Sequence, residues 1–207
     1  MNWRELRQVD VFTKDLYVGN PLAVILEADG LESRKMQAIA AEMNLSETAF
    51  VLQPTSSEAD YRLRIFTPTV ELPFAGHPSI GTAFVLYEYG RFGDRRSKFS
   101  VRQEIEIGVL PIEIDPTIQG VRMMMKQGEP ESGLACDDVE RLSSVLGLKV
   151  DDVIETGLPV EVSSTGLRQV MVPVASLKAV QEMQPDMRAL MEVEREMGVT
   201  GFEVFTF

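Results

Sequence analysis

The sequence predicts an α+β fold in which a mixed sheet wraps around one apolar helix. Short strand-like and helix-like segments alternate along all 207 residues. Residues 61–66 (YRLRIF) alternate apolar and polar side chains, which is typical of a half-buried strand. Residues 76–90 (GHPSIGTAFVLYEYG) predict a helix that is apolar on nearly every side, and such a helix must be surrounded by protein. Rolling the sheet around this helix is the simplest way to bury it.

The first half of the chain is predicted to supply most of that sheet. Val9 and Val11 alternate with polar neighbours, which indicates a strand over 6–12. The continuous apolar run LAVIL at 22–26 is typical of a strand covered on both faces. Apolar residues recur at helical spacing over 33–43 and predict an amphipathic helix. Further strands are expected at 48–52, 99–108 and 110–115.

The apolar helix has recognisable ends. Pro78 suits a first helical turn and Gly90 suits the position just past the last, so the central helix is placed at 78–89. Small residues surround its start, namely Gly76, Ser79 and Gly81. Their backbone amides could bind the carboxylate of a substrate. Alternatively, the small residues only allow close packing of helix on sheet, and both interpretations can hold at once.

The second half is predicted to form a separate, partial domain. Asp115-Pro116 is the candidate boundary, which gives an N-terminal domain over 1–116 and a C-terminal domain over 117–207. No second helix is apolar all round, so the C-terminal domain is expected to lack a central helix. Strands are expected at 121–126, 153–155, 160–163, 169–174 and 201–207, and helices at 137–146, 176–183 and 186–197.

Composition excludes several classes of protein. With 44% hydrophobic and 25% charged residues, the chain is globular rather than disordered. A net charge of -12 argues against nucleic acid and acidic membranes as partners. No apolar run approaches the ~20 residues of a membrane span, and the N-terminus has no secretory apolar segment, so a cytoplasmic protein is expected. The single cysteine, Cys136, excludes an internal disulfide and a cysteine-cluster metal site.

Five motifs in order give the sequence a family resemblance. They are VDVFT at 9–13, GNPLAV at 19–24, NLSET at 44–48, RIFTP at 64–68 and ELPFAGHPSIGTA at 71–83. Together they resemble the PhzF-like isomerases of phenazine biosynthesis. This resemblance implies a diaminopimelate epimerase-like fold, in which two similar domains each roll a sheet around a central helix. A motif close to D-P-x-T-G-S precedes the family's second central helix. Because the motif does not occur here, the resemblance implies a C-terminally truncated chain.

The resemblance also implies the chemistry. It places Glu47 at the family's general acid/base position, where it moves a proton between carbons of a small carboxylate-bearing substrate without a metal or cofactor. A carboxyl group that is partly buried, here beside Leu45 and Phe50, is suited to taking a proton and returning it elsewhere. The alternative is that Glu47 is a solvated carboxylate at a helix end.

His77 is the only histidine, and it lies at the start of the apolar helix. It could hydrogen-bond the substrate or position the transferred proton, or it could simply satisfy a backbone group. A single histidine without a carboxylate pair is a poor metal site. The resemblance implies that Ala75 stands at the position where amino-acid epimerases of this fold carry a catalytic cysteine. Because Cys136 also has no partner thiol, a two-thiol racemase is disfavoured.

Two functional hypotheses remain open at this point. The first is a PhzF-like isomerase with Glu47 and His77 as catalytic residues, expected to form a homodimer as family members commonly do. The second is a catalytically impaired remnant, truncated or from a split gene, that serves as a partner subunit or has no activity. Half of a cleft excludes water poorly and lacks part of its donors, which weakens catalysis. The sequence does not identify the substrate.

Overall fold

The computed structural model describes residues 3–117 and 120–207. These residues divide into two compact units, with the division between Gln127 and Gly128. Each unit has its own sheet. The first unit contains Glu47 and His77, and its architecture therefore determines the geometry of the candidate site.

The first unit combines one mixed sheet with two helices within its described residues. The elements in chain order are β1 (Leu6–Val11), β2 (Asn20–Ile25), α1 (Ser33–Met43), β3 (Glu47–Leu52), β4 (Tyr61–Phe66), β5 (Glu71–Leu72), α2 (Gly76–Glu88), β6 (Phe99–Ile105), β7 (Gly108–Thr117) and β8 (Gly120–Met125). The strand order in the sheet is β1-β2-β3-β4-β6-β7-β8, with β5 paired to β4. Strands β2 and β3 run parallel, as do β4 and β6.

The sheet curves around helix α2. Strands β1 and β8 lie at opposite ends of the strand order, yet both contact α2, as do β2 and β3. Only a rolled sheet can bring both of its ends to one helix. The predicted α+β arrangement of a mixed sheet around an apolar helix is therefore confirmed for this unit.

Helix α2 is buried on most of its circumference. It runs from Gly76 to Glu88, close to the predicted 78–89, and Gly90 follows with φ +67°. Its buried residues are His77, Pro78, Ser79, Gly81, Thr82, Ala83, Val85 and Leu86. The sheet therefore encloses most of the helix, while Gly76 at its start is only partly buried.

Helix α1 covers the opposite, outer face of the sheet. Its buried residues Met36 and Ala40 pack in one cluster with Phe50 of β3 and Phe66 of β4. Side chains alternate along a strand, so Glu47 lies on the other face of β3 from Phe50 and is directed toward α2. The sequence predicted α1 at 33–43, and the structure has the same limits.

The division between units differs from the candidate boundary at Asp115-Pro116. Strand β7 continues through both residues, and β8 pairs with it there, with Asp115 opposite Arg122 and Pro116 opposite Val121. Pairing of β7 with β6 ends at Ile114, which lies opposite Phe99. Beyond that point one side of β7 has no strand neighbour in the described residues, so a proline without an N–H is tolerated. The N-terminal unit therefore continues past residue 116 to Gln127.

The second unit packs helices against a four-stranded sheet. Within the described residues its elements are β9 (Glu131–Ala135), α3 (Val139–Leu146), α4 (Val150–Ile154), β10 (Glu161–Ser164), β11 (Arg168–Pro173), α5 (Leu177–Glu182), α6 (Met187–Met197) and β12 (Phe202–Phe205). The strand order is β12-β11-β10-β9. Leu142 and Leu146 of α3 pack with Leu190 of α6 and with Val170 of the sheet in one buried cluster.

Two elements of the second unit differ from the sequence prediction. The predicted strand at 153–155 is helix α4, because Lys149 donates its N–H to the carboxylate of Asp152 (3.2 Å) and so caps the helix start. Strand β9 was not predicted, since the sequence ESGLA has no apolar alternation.

Among the described residues, no helix of either unit is long and apolar enough to cross a bilayer.

Candidate active site

The fold brings Glu47 and His77 together. Glu47 is the first residue of β3 and His77 is the second residue of α2. The carboxylate oxygen Oε2 of Glu47 lies 3.4 Å from Nε2 of His77. The two residues proposed from the sequence as catalytic, far apart along the chain, are therefore neighbours.

Both side chains are largely withdrawn from water. Relative exposure is 8% for the side chain of His77 and 18% for that of Glu47. The two facing atoms, Oε2 and Nε2, are themselves buried, and neither forms a hydrogen bond within the described part of the chain. Leaving a buried polar atom unpaired costs about 1–3 kcal/mol, and most such atoms in proteins have a partner. An unpaired acceptor beside an unpaired imidazole nitrogen can therefore accept a proton or a ligand group.

The environment of His77 favours its neutral form. Burial lowers the pKa of His77 below the ordinary value of 6.5, and the negative charge of Glu47 raises it by less. A neutral imidazole offers one N–H donor and one acceptor nitrogen. Beside a carboxyl group, such a ring can help to hold or orient a proton at neutral pH.

The turn before β3 fixes the position of Glu47. Helix α1 ends at Asn44, which has a left-handed φ of 52° and donates its N–H to the carbonyl of Ala40. The hydroxyl of Ser46 donates to Oδ1 of Asn20 at 3.3 Å. In the parallel pairing of β2 with β3, Glu47 is opposite Leu22. Asn20 lies in a family-like motif, but the sequence alone assigned it no chemistry; here it anchors the residue before Glu47.

The three predicted substrate-binding residues at the start of α2 have different surroundings. Gly76 is open, because a Cβ added there would find, among the residues that the structure describes, only Nε2 of Gln127 within 4 Å, at 3.9 Å. Ser79 is fully buried, and its hydroxyl donates to the carbonyl of Ala75 at 2.8 Å. Gly81 is packed tightly, since an added Cβ would lie 2.7 Å from Cδ2 of Leu22. Ser79 and Gly81 are thus directed into the protein interior.

The backbone at the start of α2 limits the number of amides that could bind an anion. The first amides of a helix have no acceptor within the helix. Pro78 has no N–H to offer, which leaves the amides of Gly76 and His77 in the first turn. Both lie beside the Glu47–His77 pair, at the positive end of the helix dipole.

Ala75 and Cys136, the other residues considered from the sequence, give no support to thiol chemistry. Ala75 is the N-terminal cap of α2 and offers no side-chain hydrogen bond. Cys136 belongs to the second unit, and burial raises the pKa of its thiol, which disfavours the reactive thiolate. Within the described residues, no group of three or more histidine, cysteine, aspartate or glutamate side chains could hold a metal ion.

One contributor near the site was missed in the sequence. Gln103 is fully buried in β6 and donates from Nε2 to the hydroxyl of Ser79 at 2.9 Å. The sequence does contain a sign that Gln103 is buried. In FSVRQEI the inward positions Val101 and Ile105 are apolar, and Gln103 lies on the same side of the strand. A glutamine in such a position must find hydrogen-bonding partners inside the protein.

Comparison with known proteins agrees with the motifs. The family model described as phenazine biosynthesis-like protein (PhzC-PhzF) matches residues 9–206. An uncharacterised isomerase of Clostridium acetobutylicum is 34% identical over 203 residues, covering 97% of this chain and 65% of the relative. Trans-2,3-dihydro-3-hydroxyanthranilate isomerase of Pseudomonas aeruginosa is 38% identical over 183 residues, covering 88% of this chain and 61% of the relative. The chain thus spans less than two thirds of the length of these relatives.

A solved structure shows the same fold. A predicted epimerase from Pseudomonas aeruginosa superposes with a TM-score of 0.86 at 30% sequence identity. The similarity covers 98% of this chain and 70% of the other. It confirms the epimerase-like α+β fold that the motifs implied.

Proposed function

The chain belongs to the phenazine biosynthesis-like (PhzC-PhzF) family, and on that premise we propose that it is an isomerase that moves a proton between carbons of a small carboxylate-bearing substrate. The observation that supports this most directly is the pairing of Glu47 with His77 at 3.4 Å, with both facing atoms buried and without a hydrogen bond. The proposed reaction needs no cofactor, because a single carboxyl group can remove a proton and return it.

The proposed reaction proceeds in two proton transfers. The carboxylate of Glu47 removes a proton from one carbon of the substrate, which leaves the electron pair on the substrate. The neutral imidazole of His77 holds the resulting carboxylic acid in position. Protonated Glu47 then delivers a proton to a different carbon, and the double bond of the substrate moves accordingly. General acid/base catalysis of this kind contributes typically 10²–10⁴-fold to a rate.

The start of α2 supplies the proposed site for the substrate carboxylate. The amides of Gly76 and His77 have no acceptor within the helix or elsewhere in the described part of the chain, and the space beside Gly76 is open. The helix dipole also favours a negative charge at this end by about 0.3–1 kcal/mol. An anion bound there would place the rest of a small molecule beside Glu47.

The relatives narrow the class of substrate. The name of the Pseudomonas aeruginosa relative specifies isomerisation of trans-2,3-dihydro-3-hydroxyanthranilate, a small carboxylate. We propose the same broad class here, an unsaturated carboxylic acid with an acidic C–H. The cytoplasmic location and the homodimer are retained as proposals, and sedimentation velocity tests the latter.

Deuterium exchange in heavy water tests the proposal. The protein is incubated in D₂O with trans-2,3-dihydro-3-hydroxyanthranilate and a panel of related unsaturated acids, and isomerisation and deuterium uptake are followed by NMR. Glu47→Gln should reduce turnover by about 10²-fold or more, because the amide cannot accept the proton. The matched control is Glu42→Gln, which alters an exposed carboxylate on α1 and should leave turnover unchanged. Full turnover by Glu47→Gln, or neither isomerisation nor deuterium uptake with any acid of the panel, would contradict the proposal.

A further inference from the structure

A buried chain of hydrogen bonds links the sheet to the first turn of α2. The hydroxyl of Tyr61 donates to Oε1 of Gln103 at 3.0 Å. Nε2 of Gln103 donates to the hydroxyl of Ser79 at 2.9 Å. That hydroxyl donates in turn to the carbonyl of Ala75 at 2.8 Å. Gln103 and Ser79 are fully buried, and Tyr61 is 4% exposed.

The Tyr61–Gln103 end of this series of hydrogen bonds lies where strands β4 and β6 pair over a short length. Strands β4 and β6 are parallel, and their register covers two residue pairs, Tyr61 with Gln103 and Arg62 with Glu104. Asp60 and Arg102 also exchange hydrogen bonds beside this register, with the N–H of Asp60 donating to the carbonyl of Arg102 and the N–H of Arg102 donating to Oδ2 of Asp60. The bond between the side chains of Tyr61 and Gln103 adds a buried connection to these. The position of Gln103 is therefore fixed relative to β4.

The other end lies at the turn that carries His77. Ala75 caps α2 without any side-chain hydrogen bond of its own. Ser79 is one turn further along, and His77 lies between the two. The hydroxyl of Ser79, oriented by Gln103, holds the carbonyl of Ala75. These contacts fix the backbone on both sides of His77.

We propose that Gln103 is a positioning residue: through Ser79 it fixes the first turn of α2 and so sets the distance between His77 and Glu47. The positioning follows from the contacts of these residues. Its importance for turnover rests on the proposed function.

A purely structural role makes a different prediction. Burying a glutamine is costly unless its amide is fully hydrogen-bonded, and here both amide atoms have partners. If these bonds only compensated for burial, replacing Gln103 would alter stability and leave His77 unchanged. If Gln103 positions the turn, the environment of His77 must change as well.

Because His77 is the only histidine in the sequence, its ring signals can be followed by NMR without interference from another histidine. In Gln103→Met, which keeps an unbranched side chain and loses both hydrogen bonds, the ring of His77 is followed by ¹⁵N NMR during a pH titration. Because burial is the larger influence on His77, loosening its turn should raise the titration midpoint toward that of a free histidine. The control Val101→Ala removes packing from the same face of β6 without touching the hydrogen-bond chain. Its midpoint should equal that of the wild type.

Two outcomes overturn the proposal: an unchanged midpoint in Gln103→Met, or an equal shift in Val101→Ala. Should Gln103→Met not fold, Ser79→Ala removes the acceptor of Gln103 with little change of volume and is subject to the same criteria. Turnover is measured in parallel, and a misplaced catalytic group costs on the order of 10²-fold in rate. A shifted midpoint with unaltered turnover would contradict the proposed function while supporting the positioning role.

Discussion

The carboxylate of Glu47 is the charged group that acts on His77, at 3.4 Å between Oε2 and Nε2. Burial lowers the pKa of His77, and the charge of Glu47 partly offsets this by stabilising the imidazolium. Glu47→Gln removes the charge and keeps the shape of the side chain. We therefore expect the pKa of His77 to fall further below its ordinary value.

The change is measured by NMR titration of the single histidine. The control is again Glu42→Gln, whose carboxylate is exposed on α1, and its titration should match that of the wild type. A rise in the pKa of His77, or no change, in Glu47→Gln would show that the two side chains do not interact in solution as they do in the structure.

The lowered pKa of His77 also predicts how stability depends on pH. Between the folded and unfolded pKa values, the unfolded chain binds more protons, so the free energy of unfolding decreases as pH falls. The contribution of His77 is fully present above about 6.5, its ordinary pKa, and is lost as pH falls toward the folded value. Urea unfolding at pH 7.5, 6.5 and 5.5 measures this slope. In His77→Gln the slope over this window should be smaller, and equal slopes in both proteins would refute the assignment.

Much of the candidate site could be predicted from residue patterns and motifs. The motif NLSET indicated Glu47, and the unusual apolar helix at 76–90 indicated His77 at its start. Their proximity could not be read from the residues alone. It depends on the parallel pairing of β2 with β3 and on the curvature that brings α2 against this end of β3. These are long-range contacts, and local patterns do not encode them.

The structure separates the small residues of α2 in a way that sequence could not. Gly76, Ser79 and Gly81 look alike as small residues near a helix start. Their roles depend on which side of the helix faces which strand. Similarly, the boundary at Asp115-Pro116 relied on a proline, whose effect depends on whether a neighbouring strand needs its N–H. Helix α4 shows that a short apolar segment fits either a strand or a helix until its cap is known.

Replacement by alanine should destabilise the protein at Gly81 and leave its stability unchanged at Gly76. In Gly81→Ala the new Cβ would lie 2.7 Å from Leu22 Cδ2 and 2.8 Å from Val11 Cγ2, both in the core. Overpacking of this kind costs about 1–3 kcal/mol, partly offset by the ~1 kcal/mol helix preference of alanine over glycine. Gly76→Ala meets nothing closer than 3.9 Å. It should keep the stability of the wild type, within about 0.5 kcal/mol.

Urea unfolding of both variants at pH 7.5 tests this difference. Gly76→Ala also tests the proposed carboxylate site, because a methyl group would crowd the open approach to the first amides of α2. A raised KM with unchanged stability is expected for that variant. The interpretation of Gly81 as a packing residue fails if Gly81→Ala is as stable as the wild type.

The second unit offers a similar comparison at its helix ends. Gly147 follows α3 and Gly198 follows α6, with φ of +70° and +63°, where an L-residue such as alanine is strained by roughly 1–2 kcal/mol. Gly147 is also crowded: an added Cβ would lie 2.7 Å from the backbone N of Gln184 and would contact its carbonyl oxygen. A Cβ added at Gly198 would meet no atom of the described residues within 4 Å. Gly198→Ala should therefore lose about 1 kcal/mol of unfolding free energy. Gly147→Ala should lose about 3 kcal/mol or more, because backbone at Gln184 has to move. Equal losses in the two variants, measured by urea unfolding, would mean that strain at positive φ alone sets the cost and that Gln184 is not packed against Gly147 in solution.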